Sequence, residues 1–165
     1  MADTAVLGFD RTVVGVEVET GSFEVTKEAI LNFCNAVGET NPLYTDEEAA
    51  KAGPFGSLVA PPTFYAVGRL RGGGSLDPQV TLGGTRINEL KEYRQFNAGQ
   101  HCTFFASMRP GDTITAKNQV ADVYEKTWRT GRMVFIVRRT TYYNQDGSKV
   151  AEVDQSMVNR QVEAQ

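Results

Sequence analysis

The sequence predicts an α+β fold, with an antiparallel sheet wrapped around a mostly apolar helix. Three observations point to it. Helical signals are confined to the first half, over residues 26–38 and 57–70. From Ile87 to Arg160 the chain reads as successive long strands. The second helical stretch is apolar on most sides, through Phe64, Tyr65, Ala66, Val67 and Leu70, so it must be covered. A layer of antiparallel strands closing over that helix is the economical solution. Long edge strands in such a sheet call for pairing, which predicts a dimer.

Each element follows from local chemistry. Thr12 to Val18 alternates weakly and Ser22 to Val25 is β-prone, predicting two short strands. A helix follows, with Thr26 as N-cap and Glu28 in the first turn, where the helix dipole favours an anion. Ala29, Ile30, Phe33, Ala36 and Val37 recur at helical spacing, and Gly38 is the stop. Asn41-Pro42 favours a turn, and Asn41 is expected to hold it by side-chain to backbone bonds. Thr45-Asp46-Glu47-Glu48 matches a capping box with Thr45 as cap. Pro61 and Pro62 open the apolar helix, and Gly72-Gly73-Gly74-Ser75 breaks it into a loop running to about Leu82. Strands are expected at Glu89 to Phe96, Gly99 to Ser107, Thr113 to Lys126, Met133 to Tyr143 and Lys149 to Arg160. Arg109-Pro110-Gly111-Asp112 and Asn144-Gln145-Asp146-Gly147 are turns, the second a hairpin signal.

The 165 residues suggest one domain, 1–165, with its core over about 12–160. A 41% hydrophobic content supplies a core, and the net charge is −3. No block of Lys or Arg builds a basic stripe, so nucleic acid is not expected as partner, and no apolar stretch is long enough to span a bilayer, so no membrane is expected either. The N-terminus has no basic region followed by a long apolar run, which predicts a cytoplasmic protein. Cys34 and Cys102 fit no metal spacing and are expected as reduced, buried thiols. No metal and no cofactor are implied.

Five short motifs, in order, carry a family resemblance. They are Gly38-Glu39-Thr40-Asn41-Pro42-Leu43-Tyr44, Gly56-Ser57-Leu58-Val59-Ala60-Pro61-Pro62, Ala98-Gly99-Gln100, Arg109-Pro110-Gly111-Asp112 and Asn144-Gln145-Asp146-Gly147. Together they resemble the MaoC-like hot-dog family, in its N-terminal dehydratase-type branch, from about Val14 to Arg160. The resemblance implies a hot-dog fold. It implies ligands that are acyl thioesters of coenzyme A or acyl carrier protein. It implies reversible addition of water across a 2-enoyl thioester, a step of fatty acid metabolism. In catalytic members the first loop reads Gly-Asp-x-Asn-Pro-Ile/Leu-His, with Asp and His handling the water and its protons. In this chain those positions hold Glu39 and Tyr44.

Hydration of an enoyl thioester needs a base for water, an acid for the α-carbon and a donor for the enolate oxygen. Histidine suits the base role because its ordinary pKa is about 6.5. Tyrosine, ordinarily near 10, does not. Glutamate keeps the charge of aspartate but adds a methylene, and a displacement of about 1 Å costs about a hundredfold in rate. Glu39 reads either as a catalytic carboxylate or as a solvated loop residue, and Tyr44 as a catalytic acid or a packed aromatic. His101, the sole histidine, reads as a rescuing base or as structural. Asn41, Gly56, Ala60, Phe64, Tyr65 and Arg69 are candidate substrate contacts. Gly56 and the Ala60-Pro61 segment would offer an N–H to the thioester carbonyl, although the prolines remove two donors. Arg69, with Arg71, would hold a phosphate of coenzyme A or simply solvate a helix end.

Three functions fit. The first is the non-catalytic, substrate-shaping half of a heteromer whose MaoC-like partner bears Asp and His, with Phe64, Tyr65, Val67 and Leu70 lining or backing the acyl tunnel. The second is a self-sufficient homodimeric hydratase or lyase using Glu39 and Tyr44, or His101. The third is a non-enzymatic acyl-thioester binding module.

Overall fold

A computed structural model describes residues 11–70, 93–129 and 131–161. Among the described residues five antiparallel strands form one sheet, in the order β1 (Val18–Glu24), β3 (Thr113–Trp128), β4 (Gly131–Tyr143), β5 (Lys149–Gln161) and β2 (Tyr93–Phe104), with the helices against one face. The α+β expectation holds. The glycine run at 72–74, Arg71, the strand start at Ile87 and Thr130 lie outside the described residues.

The expectation of two short strands near the start is corrected. Arg11–Val13 forms a 3-10 turn, Val14 bridges to Val120, and Gly15, at φ 84°, turns the chain away. One strand, β1 (Val18–Glu24), then pairs with β3. Helix α1 (Lys27–Val37) starts as predicted, the Thr26 hydroxyl accepting from the Ala29 N–H at 3.1 Å. It stops at Gly38, at φ 72°, a left-handed conformation in which glycine meets no Cβ clash. Its buried side chains are Ala29, Ile30 and Cys34. Ala36 and Val37, expected on the apolar face, are exposed, because no described segment covers the last turn.

Asn41 caps α2 (Pro42–Thr45), accepting from the Leu43 N–H at 3.1 Å. Asp46, not Thr45, caps α3 (Glu47–Ala52), accepting from the Ala49 N–H at 3.0 Å. The correction has a physical cause. A carboxylate is the stronger acceptor at the positive end of a helix, and the Thr45 hydroxyl already donates to the Asn41 carbonyl. The helix expected to open at Pro61 and Pro62 is preceded by a non-helical stretch, 57–61. The Ala60 N–H donates to the Met108 carbonyl at 2.9 Å, and the prolines lead into a 3-10 turn (Pro62–Tyr65) and then α4 (Ala66–Leu70).

The two pieces expected before residue 107 are one strand, β2 (Tyr93–Phe104), with an irregularity between Asn97 and Gly99. β3 (Thr113–Trp128), β4 (Gly131–Tyr143) and β5 (Lys149–Gln161) form a meander. Asn144 sets the β4–β5 hairpin, its side-chain oxygen accepting from the Asp146 and Ser148 N–H groups at 3.2 and 2.9 Å.

The core lies between α1, the 3-10 turn and the inner face of the sheet. Fully buried Phe64 meets Phe33 edge-on at 5.6 Å and Phe23 at 6.4 Å. Ile114, Tyr142, Val150 and Val153 supply the sheet side. Gly68 lets α4 approach β1, since a Cβ there would stand 2.3 Å from a Phe23 ring carbon. Gly68→Ala should therefore cost about 1–3 kcal/mol by overpacking. Urea unfolding measures this, and an unchanged midpoint would contradict the packing described.

Candidate functional site

The loops at one end of the sheet enclose a cleft of about 210 Å³. It is lined by Tyr44 and Phe55, by residues 59–62 and 104–108, and by Val150 and Ala151. Phe55, Phe104 and Phe105 are 39%, 44% and 55% exposed, so the rim itself is apolar. Among the described residues, no Asp, Glu, His, Lys or Arg lines the cleft.

One charged residue outside the cleft holds its wall together. The Arg109 guanidinium donates to the Phe55 carbonyl at 3.0 Å and to the Ser57 hydroxyl. Its own backbone N–H donates to the Asp112 carboxylate at 2.7 Å. Gln145 joins the same unit, donating to Asp112 at 3.3 Å and accepting from the Thr113 N–H at 3.0 Å. Three of the five sequence motifs, at 56–62, 109–112 and 144–147, thus converge on the end of the sheet that bears the cleft.

The predicted site residues separate. Tyr44 lines the cleft. Glu39 does not; its carboxylate accepts from the Asn41 N–H at 2.8 Å and so braces its own loop. Both residues border Cys34, whose thiol donates to the Tyr44 carbonyl at 3.8 Å. Burial pushes the Cys34 thiol above its ordinary pKa, and the Glu39 carboxylate adds to the shift. Asn41 is the α2 cap and Ala60 lines the cleft. The N–H groups of Gly56 and Ala60 already have acceptors, the Gly53 and Met108 carbonyls at 3.2 and 2.9 Å. Phe64 is core rather than lining. Tyr65 backs the cleft, its ring 6.3 Å from Phe104, while its hydroxyl accepts from the Gln100 amide at 2.5 Å and lies 3.4 Å from the Cys102 sulfur. Cys102, expected buried, is half-buried. Arg69 belongs to α4, and its side chain lies outside the description, as does Arg71.

His101 lies on the outer face of the sheet, since its neighbours Gln100 and Cys102 turn inward to Tyr65. It stands opposite Asp154, which binds Arg139 through two bonds of 2.7 Å. The Arg139 guanidinium holds the Asp154 carboxyl below the usual range, with His101 a minor contributor.

Phe55, Phe104, Phe105 and residues 106–108 were not singled out from the sequence as site residues. The available signal was an aromatic pair closing a strand just before the turn at Arg109. Among the described residues no group of three or more His, Cys, Asp or Glu could hold a metal ion. The arrangement is an apolar, half-open space with one phenol at its edge, suited to a hydrocarbon chain.

Comparison with known proteins identifies the family. Residues 12–153 match a family model described as the FAS1-like dehydratase domain region. The chain belongs to this family. The FAS1-like dehydratase region here has the hot-dog fold found in MaoC-like dehydratases. A protein named UPF0336 from Streptomyces avermitilis is 32% identical over 71% of this chain and 75% of its own length. A protein of Thermomonospora curvata named "Probable enoyl-CoA hydratase alpha subunit" is 32% identical over 82% of this chain, which spans only 44% of that protein. Among solved structures, the Mycobacterium tuberculosis HadBC complex, a 3R-hydroxyacyl-ACP dehydratase, matches with TM-score 0.66 and 26% identity. The match covers 92% of this chain and 99% of that one.

Two outcomes follow. The reactive form of cysteine is the thiolate, which burial and Glu39 suppress at Cys34. In the native chain Cys34 should stay unalkylated by iodoacetamide at mildly alkaline pH over a period that modifies it fully in denaturant; equal rates in both states would be inconsistent with the buried thiol. Asp154 has a depressed folded pKa, so its stabilisation is present above the unfolded value of about 3.9 and is lost as pH falls through the lower folded value. Asp154→Asn should therefore be less stable than the parent near neutrality, with the difference vanishing on acidification; a gap that persists at pH 2 would contradict the assignment.

Proposed function

We propose that this chain is the substrate-shaping subunit of an enzyme that hydrates 2-enoyl thioesters or dehydrates 3-hydroxyacyl thioesters. Its partner would be a MaoC-like subunit bearing the Asp and His. The observation that carries this reading is the composition of the cleft. At the position where catalytic members place the base stands Tyr44, and among the described residues no ionisable acid or base other than that phenol lines the space. Glu39 is bound to its own loop, and the sole histidine faces the other side of the sheet.

The chemistry divides accordingly. A base takes a proton from water, the hydroxyl adds to C3, charge passes to the thioester oxygen and a proton returns to C2. In this reading the partner's Asp and His move the protons. This chain excludes water and orients the acyl group along Phe104, Phe105 and Met108. The free edge of the sheet supports it. β2 ends at Phe104 on the cleft rim, and no described strand pairs with its outer side. A subunit adding there would satisfy that edge and cover the exposed rings. The assemblies support it too, because one relative is named an alpha subunit and one structural neighbour is a two-protein complex.

The test is hydration of a 2-enoyl-CoA series, followed by loss of the enoyl absorbance. The chain alone should be at least about 100-fold slower than the chain with its Asp/His-bearing partner. Turnover by the isolated chain that disappears in Glu39→Gln or Tyr44→Phe would instead establish a variant active site. Ligand-induced stabilisation without turnover, even with the partner, would reduce the chain to a binding module.

A further inference from the structure

Arg94, Lys126, Arg129 and Arg160 are scattered along the sequence, and the sheet gathers them. Met133 pairs with Lys126 on one side and Arg160 on the other, and Arg160 pairs with Arg94. Residues opposed in this way share a face, so three cations stand in one row across the sheet. The adjacent row on that face is Tyr124, Phe135, Val158 and Phe96. Lys126 links the two rows, its ammonium 5.4 Å from the Tyr124 and Phe135 ring centres.

This is the outer face, because the intervening row holds the buried Val134 and Asn159. Trp128, two residues beyond Lys126, shares that face at the end of β3 and is 64% exposed. Arg129 follows it, also exposed. Neither row contains a carboxylate. The next row contributes Asp122, whose carboxylate accepts from the Val123 N–H at 2.8 Å. In a chain of net charge −3, positive charge is thus concentrated at one end of one face. The patch is separate from the cleft, since Arg94 and Phe104 are ten residues apart on β2, roughly 33 Å of strand.

We infer that this end of the sheet docks on the surface of a bilayer rich in anionic lipid. Two features select that occupant. Apolar side chains are interleaved with the cations, Met133 between Lys126 and Arg160, so burial of the one brings the other to headgroup phosphates. The single tryptophan projects at the tip, and an indole is suited to the boundary between headgroups and hydrocarbon. A second copy of the chain would set like charges face to face. The association is peripheral, since among the described residues no helix is long and apolar enough to cross a membrane. The row exists only through strand register, whereas the expectation of no membrane partner rests on the lack of a bilayer-spanning apolar stretch, a different mode of association.

The full chain is mixed with vesicles of phosphatidylcholine alone, or of equal parts phosphatidylcholine and phosphatidylglycerol. With one tryptophan in the chain, emission reports Trp128 alone. Trp128 emission should shift to the blue, and the chain should co-sediment, with the anionic vesicles only and less strongly as salt rises. Arg94→Ser with Arg160→Ser should weaken binding roughly 30-fold without moving the unfolding midpoint. The inference fails if the anionic vesicles produce neither effect at low salt, or if neutral vesicles bind as well. Tighter binding to polyglutamate or single-stranded RNA than to the vesicles also overturns it, and assigns the patch to a polyanion.

Discussion

The inner face of the sheet must be covered, and one fully buried ring, Phe64, decides how. It meets Phe33 of α1 edge-on and packs against Phe23 of β1, so three separate segments are tied at one point. Edge-to-face and tilted contacts are the arrangements that aromatic quadrupoles favour. Phe64 enters this cluster from a proline-led 3-10 turn, which commits residues 57–61 to an extended path beside Met108. The cleft is the space left along that path. Residues 59–62 line it because Phe64 is anchored just beyond them, and the Ala60–Met108 hydrogen bond holds them beside 104–108.

The wall also depends on a polar unit that never enters the cleft. Arg109 reaches across more than fifty residues of sequence to the Phe55 carbonyl and the Ser57 hydroxyl, while Asp112 and Gln145 secure the turn it springs from. Charge-assisted bonds of this kind are directional, so they fix a loop more sharply than apolar contact does. An apolar rim with three exposed phenylalanines would otherwise tend to collapse on itself.

Local chemistry was the most legible part of the fold. Thr26, Gly38, Asn41 and the Asn144–Gly147 turn act at their expected positions because each satisfies backbone groups within a few residues. Where two local solutions compete the sequence misleads, as at Thr45 and Asp46, since the outcome rests on which group is the better acceptor once Thr45 has turned back to Asn41. The alternation around His101 was readable, placing it on the face opposite Gln100 and Cys102. Which face is inner was not, because that depends on Tyr65 arriving from 35 residues away in the chain. The cationic row was still less accessible, since its register is set by irregularities at Asn97–Gly99, Val120–Asp122 and Tyr142–Tyr143. Of the cleft residues 104–108 only the Phe104-Phe105 pair stood out, and an aromatic pair at a strand end marks a core as readily as a site before the loops are brought together.

The positions of Glu39 and Tyr44 bear on how shape and proton transfer can be separated in such a site. In the first loop the polar tasks are now internal: Glu39 accepts from the Asn41 N–H, and Asn41 caps the helix that carries Tyr44. A longer carboxylate that folds back on its loop stabilises the backbone and gives up its reach toward a substrate. A phenol at the cleft edge keeps the volume of the wall and offers a hydrogen bond. Meanwhile the Arg109 unit still holds the remaining wall in place. Shape and proton transfer make different demands. Shape needs rigid apolar walls, whereas proton transfer needs ionisable groups and some water. On the proposed reading, dividing them between two chains across the β2 edge would let this one be optimised for the wall alone, which fits a frame whose described lining residues include no carboxylate or imidazole.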